Sequence, residues 1–248
     1  MKITALLPAR LESTRIRKKL LKKIKKIPII IHTLNRVKLC KEISEIFVCT
    51  DSNEIKKKVQ DNGFKVILTK KNFSNGTERI SSIIEKINSN LIIDVHADEA
   101  LLDPKNLSKL INFHKKNIHF DIVVPHKKSL SSSDENIVKI ISTKKNKVIY
   151  FSRAKAPFPY RKKGSYFHHL DIISFKPNAL KKFKIFKKGF LEEIEGVELL
   201  RALENGLSIG TFEINTSSFS INTEKDLKNA KKILIKDKFI KKYFDKTN

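Results

Sequence analysis

The chain has 248 residues, enough for one sizeable domain, and a 40% hydrophobic content that can build a core. Lys or Asn interrupts every apolar run before it reaches membrane-spanning length, and Cys40 and Cys49 are too few for a disulfide framework, so a membrane partner and an oxidised scaffold are excluded and a reducing, cytoplasmic compartment is expected. Basic residues outnumber acidic ones 52 to 26, but the lysines are dispersed over many helical faces without a nucleic-acid motif or interleaved aromatics. The excess therefore fits a Lys-, Ile- and Asn-rich composition better than a specific nucleic-acid partner.

Residues 3–7 read as a first strand ending at Pro8; the run is too short for a signal-peptide core, and Arg10, Glu12 and Arg15 follow at once. Residues 29–40 look helical, 46–50 extended, and 54–62 helical up to Gly63. A strand at 64–68 precedes a helix at 77–88, whose face carries Ile80, Ile83, Ile84 and Ile87. The nearly pure apolar run 91–95 is expected to be a central strand buried on both sides. Pro104 opens a helix over 104–116, and 121–125 is a strand. Alternation of this kind implies a parallel sheet with helices on both faces.

The middle of the chain changes character. Residues 137–142, 148–151 and 167–175 read as longer strands, with Lys144-Lys145-Asn146 as a hairpin turn and a Pro- and Lys-bearing loop at 154–164. These strands, within roughly 136–176, are expected to form a small β annex of a single domain spanning 1–248. A helix returns at 191–204, a strand at 209–214, and a last helix from Glu224 to about Lys236 with Leu227, Ala230, Ile233 and Leu234 on one face.

Chemistry concentrates in a few places. After the first strand, residues 8–15 and then Lys18 and Lys19 supply guanidinium groups, hydroxyls and amines where an open parallel sheet places its ligands. Such a loop can hold a triphosphate or be a solvated charge cluster. Asp98-Glu99, just beyond strand 91–95, can hold Mg²⁺ against phosphate oxygens or cap a turn. Residues 74–79 offer backbone amides, a hydroxyl and Arg79 at a helix start, a pattern that by itself suits an ordinary cap. The histidines show no metal-ligand spacing, with His96 standing by the acidic pair, so no zinc site is predicted. No Gly-x-Gly-x-x-Gly, P-loop or nucleophile elbow is present, which weighs against dehydrogenases, P-loop NTPases and hydrolases.

Together the segments resemble the 3-deoxy-manno-octulosonate (KDO) cytidylyltransferase family, the CMP-KDO synthetases, from residue 3 to about 233. The motifs that carry this are PAR-x-x-STR at 8–15 with Lys19, CTD at 49–51, GTER at 76–79, ADE at 97–99, YFSRA at 150–154, LEEIEGVELLRALENG at 191–206 and INTEKDL at 221–227. The resemblance implies a Rossmann-like mixed, mostly parallel sheet of the nucleotide-diphospho-sugar transferase type, a homodimer formed through the annex, and Mg²⁺ dependence. The reaction it implies joins CTP and KDO into CMP-KDO and pyrophosphate, for lipopolysaccharide or surface polysaccharide synthesis. Mapped onto this chain, Ala9, Arg10, Arg15, Lys19, Gly76, Thr77 and Arg79 would bind nucleotide, with Arg10, Lys19 and Asp98 catalytic. His96, His169, Glu195 and Glu198 would form the sugar pocket, and Asp98 with Asn222 would hold the metal.

The chain departs from the family pattern in places. Residues 16–21 lack the family's two prolines and its glycine, and Gln-Gly-Asp-Glu-Pro reads His96-Ala97-Asp98-Glu99-Ala100. Arg-His-Leu-Gly reads His168-His169-Leu170-Asp171, Leu199 stands for a pocket Gln, and Asn222 replaces a metal-binding aspartate. The alternatives these changes raise are a different sugar acid, such as an aminated KDO, and a weakened paralogue that binds nucleotide without turnover.

Overall fold

The computed structural model describes residues 1–12, 15–131 and 134–244. In chain order the elements are β1 (Ile3–Ala9), β2 (Lys23–Ile24), β3 (Ile27–Pro28), α1 (Ile29–Lys38), β4 (Glu45–Thr50), α2 (Asn53–Gln60), β5 (Lys65–Leu68), α3 (Gly76–Ser81), β6 (Leu91–Val95), α4 (Pro104–Lys116) and β7 (Ile122–Ser129). There follow β8 (Lys139–Ser142), β9 (Val148–Ser152), β10 (Tyr166–His169), β11 (Ile172–Phe175), α5 (Pro177–Ile185), α6 (Phe190–Glu195), α7 (Leu199–Glu204), β12 (Ile209–Glu213), α8 (Glu224–Lys236) and α9 (Lys241–Phe244).

One mixed sheet runs in the order β5-β4-β1-β6-β11-β7-β10-β8-β9, with β12 paired to β7. Its first half is parallel: β1 lies between β4 and β6, with Leu6 opposite both Phe47 and Asp94. Beyond β6 the antiparallel β11 reverses direction, with Ile173 opposite Asp94. The pleat sends alternate residues to two cores. Ile3, Ala5, Leu7, Leu91, Ile93 and Val95 pack with α1, α2, α4 and α8 on one face. Leu6, Ile92 and Ile173 pack with α3, α5 and α7 on the other. Helices therefore cover both faces, as expected.

Several helix ends follow from local signals. Asp103 caps α4 through Lys105 N with Pro104 in the first turn. Thr223 and Asp226 form a reciprocal capping box at α8. Other spans differ from the sequence reading. The helix predicted over 77–88 ends at Ser81 and resumes only as a 3-10 turn, Ile84–Lys86. The helix predicted over 191–204 is split at Gly196, whose φ of 61° ends α6 and turns the chain into α7. The strand predicted over 167–175 breaks at Leu170-Asp171. Of the strands expected as an annex, β10, β8 and β9 continue the sheet beyond β7, while β11 lies inside it between β6 and β7.

Candidate active site

The site follows from the register of the parallel half. Because β1 pairs with β6, the chain leaving β1 at Arg10 and the chain leaving β6 at His96–Asp98 emerge side by side at the carboxyl edge. Between them lies a cavity of about 520 Å³ lined by Ala9, Arg10, Lys19, Gly76, Arg79, His96, Asp98, His169, Glu198 and Asn222, all named from the sequence.

Lys19 is the junction. Its ammonium pairs with the Asp98 carboxylate, 79 residues away, and donates to Asn222 Oδ1 at 3.3 Å, 203 residues away. The segment carrying Asn222 is held against Asp98 by the Ile221 N–H, which donates to the Asp98 carbonyl at 3.4 Å. Lys18, where sequence reasoning marked the loss of a glycine-bearing loop, adopts φ 51° and ψ 40°. A left-handed conformation at a non-glycine residue costs on the order of 1 kcal/mol. Its amine reaches Glu54 at 2.7 Å. Ser13 and Thr14 of the loop motif lie outside the described residues.

On the opposite wall, Asn75 caps α3 by accepting from Glu78 N at 2.8 Å. Gly76 packs closely on the end of β1: a Cβ there would meet Pro8 Cγ at 3.0 Å, and the proline ring would have to give by a few tenths of an ångström. Arg79 is buried and aimed by its partners: it donates to Asp51 Oδ2 at 3.2 Å and packs over the Phe73 ring. Asp51 of the CTD motif thus acts through Arg79.

The far end of the cavity is acidic. His96 sits among Asp171, Asp94, Asp98 and Glu198; burial opposes its charge, but these carboxylates outweigh it and raise its pKa to about 9. Asp171 Oδ1 stands 3.7 Å from His96 Nδ1 and 3.8 Å from His169 Nδ1. Burial disfavours the Asp171 charge, yet the two imidazoles hold its pKa well below the usual range. Burial pushes Glu99 up to about 8 and raises Glu198.

Three predicted residues take other places. Thr77 is fully buried, and its hydroxyl donates to Glu198 Oε1 at 2.7 Å, so it positions the wall of the cavity without lining it. Arg15 opens onto a second cavity that shares Val138, His169, Asp171 and Asn222 with the first; buried Ile16 anchors the loop and leaves Arg15 beyond that shared wall. Glu195 accepts from Ser152 Oγ at 2.9 Å and Arg153 N at 2.7 Å, which ties α6 to β9, and it is not among the residues lining the cavity. Glu192 lines the cavity in its stead, paired with Arg201 at 2.6 Å.

Sequence reasoning gave no role to Arg153, although YFSRA carried it. Its guanidinium lines the cavity and donates to the Glu195 carbonyl at 2.7 Å and the Gly196 carbonyl at 3.3 Å. It also donates to the Glu135 carbonyl at 3.1 Å and the Asn136 carbonyl at 3.3 Å; no carboxylate side chain pairs with it among the described residues, so carbonyls hold its charge in place without neutralising it. Asp94 was passed over inside a run read as apolar; a lone carboxylate in a central strand was the available signal.

The family model described as Cytidylyltransferase matches residues 4–209. A protein of a Nitratiruptor species, named 3-deoxy-manno-octulosonate cytidylyltransferase, is 35% identical over 231 residues, 90% of this chain and 96% of the relative. One of the same name from Rickettsia canadensis is 34% identical over 236 residues, 92% of this chain and 94% of the relative. Among solved structures, CMP:2-keto-3-deoxy-manno-octonic acid synthetase complexed with CTP superposes with a TM-score of 0.91 at 24% identity, covering 95% of this chain and 99% of that one, which shows the fold. The extent of the family match and the identity to full-length relatives make this chain a member of the cytidylyltransferase family of nucleotidyltransferases.

Proposed function

We propose that the protein transfers the cytidylyl group of CTP to KDO or a related acidic sugar, giving the CMP-sugar and pyrophosphate, for lipopolysaccharide or surface polysaccharide synthesis. The observation that carries this reading is the meeting of Lys19, Asp98 and Asn222 at the edge of a nucleotide-sized cavity. The sugar's anomeric hydroxyl attacks the α-phosphorus and gives up its proton to solvent as the bond to the bridging oxygen breaks, and pyrophosphate leaves with the electron pair of that bond. Little covalent work falls to the protein; it positions the partners and offsets charge. Lys19 and Arg10 neutralise the leaving phosphates, and Arg79 and the start of α3 bound the nucleotide side. Arg153, with no carboxylate partner, attracts the sugar's carboxylate.

The Asp98 carboxylate and the Asn222 amide oxygen, which meet at Lys19, are hard oxygen donors and would hold Mg²⁺. When bound there, Mg²⁺ supplies Lewis-acid polarisation of the phosphate and lowers the pKa of the sugar hydroxyl.

Of the family departures, His96, Asp171 and Leu199 line this cavity, which favours a change in the sugar accepted over a change of nucleotide. The test is pyrophosphate release from CTP and Mg²⁺ with KDO, an aminated KDO and other sugar acids. Release with KDO supports the leading reading, and release only with another acid shifts the substrate. CTP binding without release would overturn the enzymatic reading in favour of a nucleotide-binding paralogue.

We further propose a homodimer through the far end of the sheet, supported by exposed Leu130, Ile149, Phe158 and Tyr160 in that one stretch of chain. Light scattering should give about twice 28.6 kDa. A cytoplasmic location follows from the need for CTP.

A further inference from the structure

We propose that Asp94, His96 and Glu198 form a second cation site, for a divalent transition metal of the Zn²⁺ type, distinct from the oxygen pair Asp98 and Asn222. Asp94 and His96 lie two residues apart at the end of β6, so the pleat turns them to the same side, toward α3 and α7. Glu198 reaches them from the turn between α6 and α7 and is held there by the Thr77 hydroxyl at 2.7 Å and the Thr77 N–H at 3.4 Å. One ligand atom from each of the three lies within 4.8 Å of the others. The grouping brings together residues more than 100 positions apart, which is why no spacing in the sequence revealed it.

Asp94 supplies the independent observation. Its side chain is fully buried, and neither carboxylate oxygen has a hydrogen-bond partner. A buried, unpartnered carboxylate is costly. Thr77 and Arg201 nearby have partners in Glu198 and Glu192, whereas His169 Nε2 and Thr4 Oγ1 share with Asp94 the lack of one. Asp171, 3.7 Å from His96 Nδ1 and 3.8 Å from His169 Nδ1, places a further carboxylate beside this group.

A substituent on the sugar does not answer this need, because Asp94 is not among the residues lining the cavity, whereas His96 and Glu198 are. A desolvated ion can sit between the buried carboxylate and the two cavity-facing ligands. An imidazole with two carboxylates favours Zn²⁺ and its neighbours over Mg²⁺, which takes oxygen ligands and keeps its waters. Three protein ligands leave a coordination position open toward the cavity. Bonds of roughly 2.0–2.2 Å require the three groups to close from their present spread. His96, with a side chain 36% exposed, has room to move. Thr77 on Glu198 and Asp171 beside His96 are placed as the outer partners that orient such ligands.

The test uses the full chain, stripped with chelator and free of nucleotide, so its outcome does not depend on cytidylyl transfer. Zn²⁺ is titrated calorimetrically, and Co²⁺ is followed by its visible absorption. Wild type should bind one ion per chain with a Co²⁺ spectrum of a four- or five-coordinate site. His96→Gln and Asp94→Asn should each weaken binding at least about tenfold, while Asp98→Asn should retain it. X-ray absorption on the Zn²⁺-loaded wild type should show one imidazole among oxygen ligands, a readout that stands even if a variant fails to fold. Absence of stoichiometric binding, a zinc shell without imidazole, equal binding by His96→Gln, or loss of binding in Asp98→Asn alone would overturn the proposal.

Discussion

At one end of the cavity, Arg10, Lys19 and Arg79 bring cations on short motifs near strand and helix ends; at the other, Asp171 and Glu198 line it and buried Asp94 stands close to His96, carboxylates from three separate segments. The first end has its charges aimed by neighbours before any ligand arrives: Lys19 by Asp98, Arg79 by Asp51. The second end holds acids whose pKa values burial and the histidines drive apart, with Glu198 raised and Asp171 lowered. The cations of the first end thus come from short motifs, but their aim depends on partners far along the chain, 79 residues away for Lys19 and Asp98. The far end rests on tertiary placement, and departures from the family pattern fall at both ends: His96, Asp171 and Leu199 at the acidic one, residues 16–21 and Asn222 at the cationic one.

The sharpest way to break this contrast is at the cationic end. Asp98→Ala should lower pyrophosphate release at least about 10³-fold, and Lys19→Ala by about 10²–10³-fold, as expected for groups acting on transition-state charge. Both should leave the fold intact, since the Lys19 and Asp98 side chains are partly exposed at the cavity edge. Near-normal turnover in either variant would remove that end from the reaction.

At the acidic end the largest effect should fall on stability. Arg201 is buried between Glu192 at 2.6 Å and Glu78 at 2.7 Å and stacks on Phe183. Arg201→Met leaves Glu192, itself 3% exposed, without its counter-charge. The expected cost is about 3–5 kcal/mol in urea unfolding. A loss below about 1 kcal/mol would mean that the pair does not hold α6 against α7.

The two ends also differ in how much of them was legible beforehand. Lys19, Gly76, Arg79 and Asp98 stand next to recognisable strand and helix ends, but period and capping signals left their roles open, and the resemblance of the motifs singled them out. Arg15 belonged to the same motif but not to the same cavity, because the path of a loop is not encoded by its composition. Glu195 and Glu198 sit in one helical pattern. Only the left-handed turn at Gly196 separates them, sending one to Ser152 and the other to Thr77. The fold was legible where caps were explicit, at Asp103 and Thr223, and less so where tertiary pairing decided: β10 as part of the main sheet, and α5, which the reading omitted although Pro177 opens its first turn.

A histidine outside both ends gives a smaller, pH-dependent comparison. His114 Nε2–H donates to the Phe120 carbonyl at 3.1 Å, while Nδ1 meets Ser174 Oγ at 2.6 Å, which ties α4 to β11. Burial lowers its pKa from 6.5 to about 4. Between those values the unfolded chain binds the proton and the folded chain does not, so this contribution is complete above pH 6.5 and is lost as pH falls toward 4. His114→Gln should flatten the acid side of the stability profile by up to about 1.4 kcal/mol per pH unit. An unchanged slope would show that His114 does not stay neutral in the fold.

The smallest expected effect lies where the two ends meet. Asn222 replaces a family aspartate, and its amide oxygen already faces Lys19 beside Asp98. Asn222→Asp changes one neutral donor to a carboxylate in nearly the same volume. The new charge has Lys19 as a partner, and the α8 cap does not depend on the Asn222 side chain, because Asp226 accepts from the backbone N–H groups of Asn222 and Thr223. Activity should therefore equal that of wild type or exceed it by a few-fold, with the gain largest at low Mg²⁺, where a carboxylate outcompetes an amide as a hard-cation ligand. A clear fall at every Mg²⁺ concentration would mean that the amide serves the substrate and not the metal, and residue 222 would then belong with the altered sugar end of the cavity.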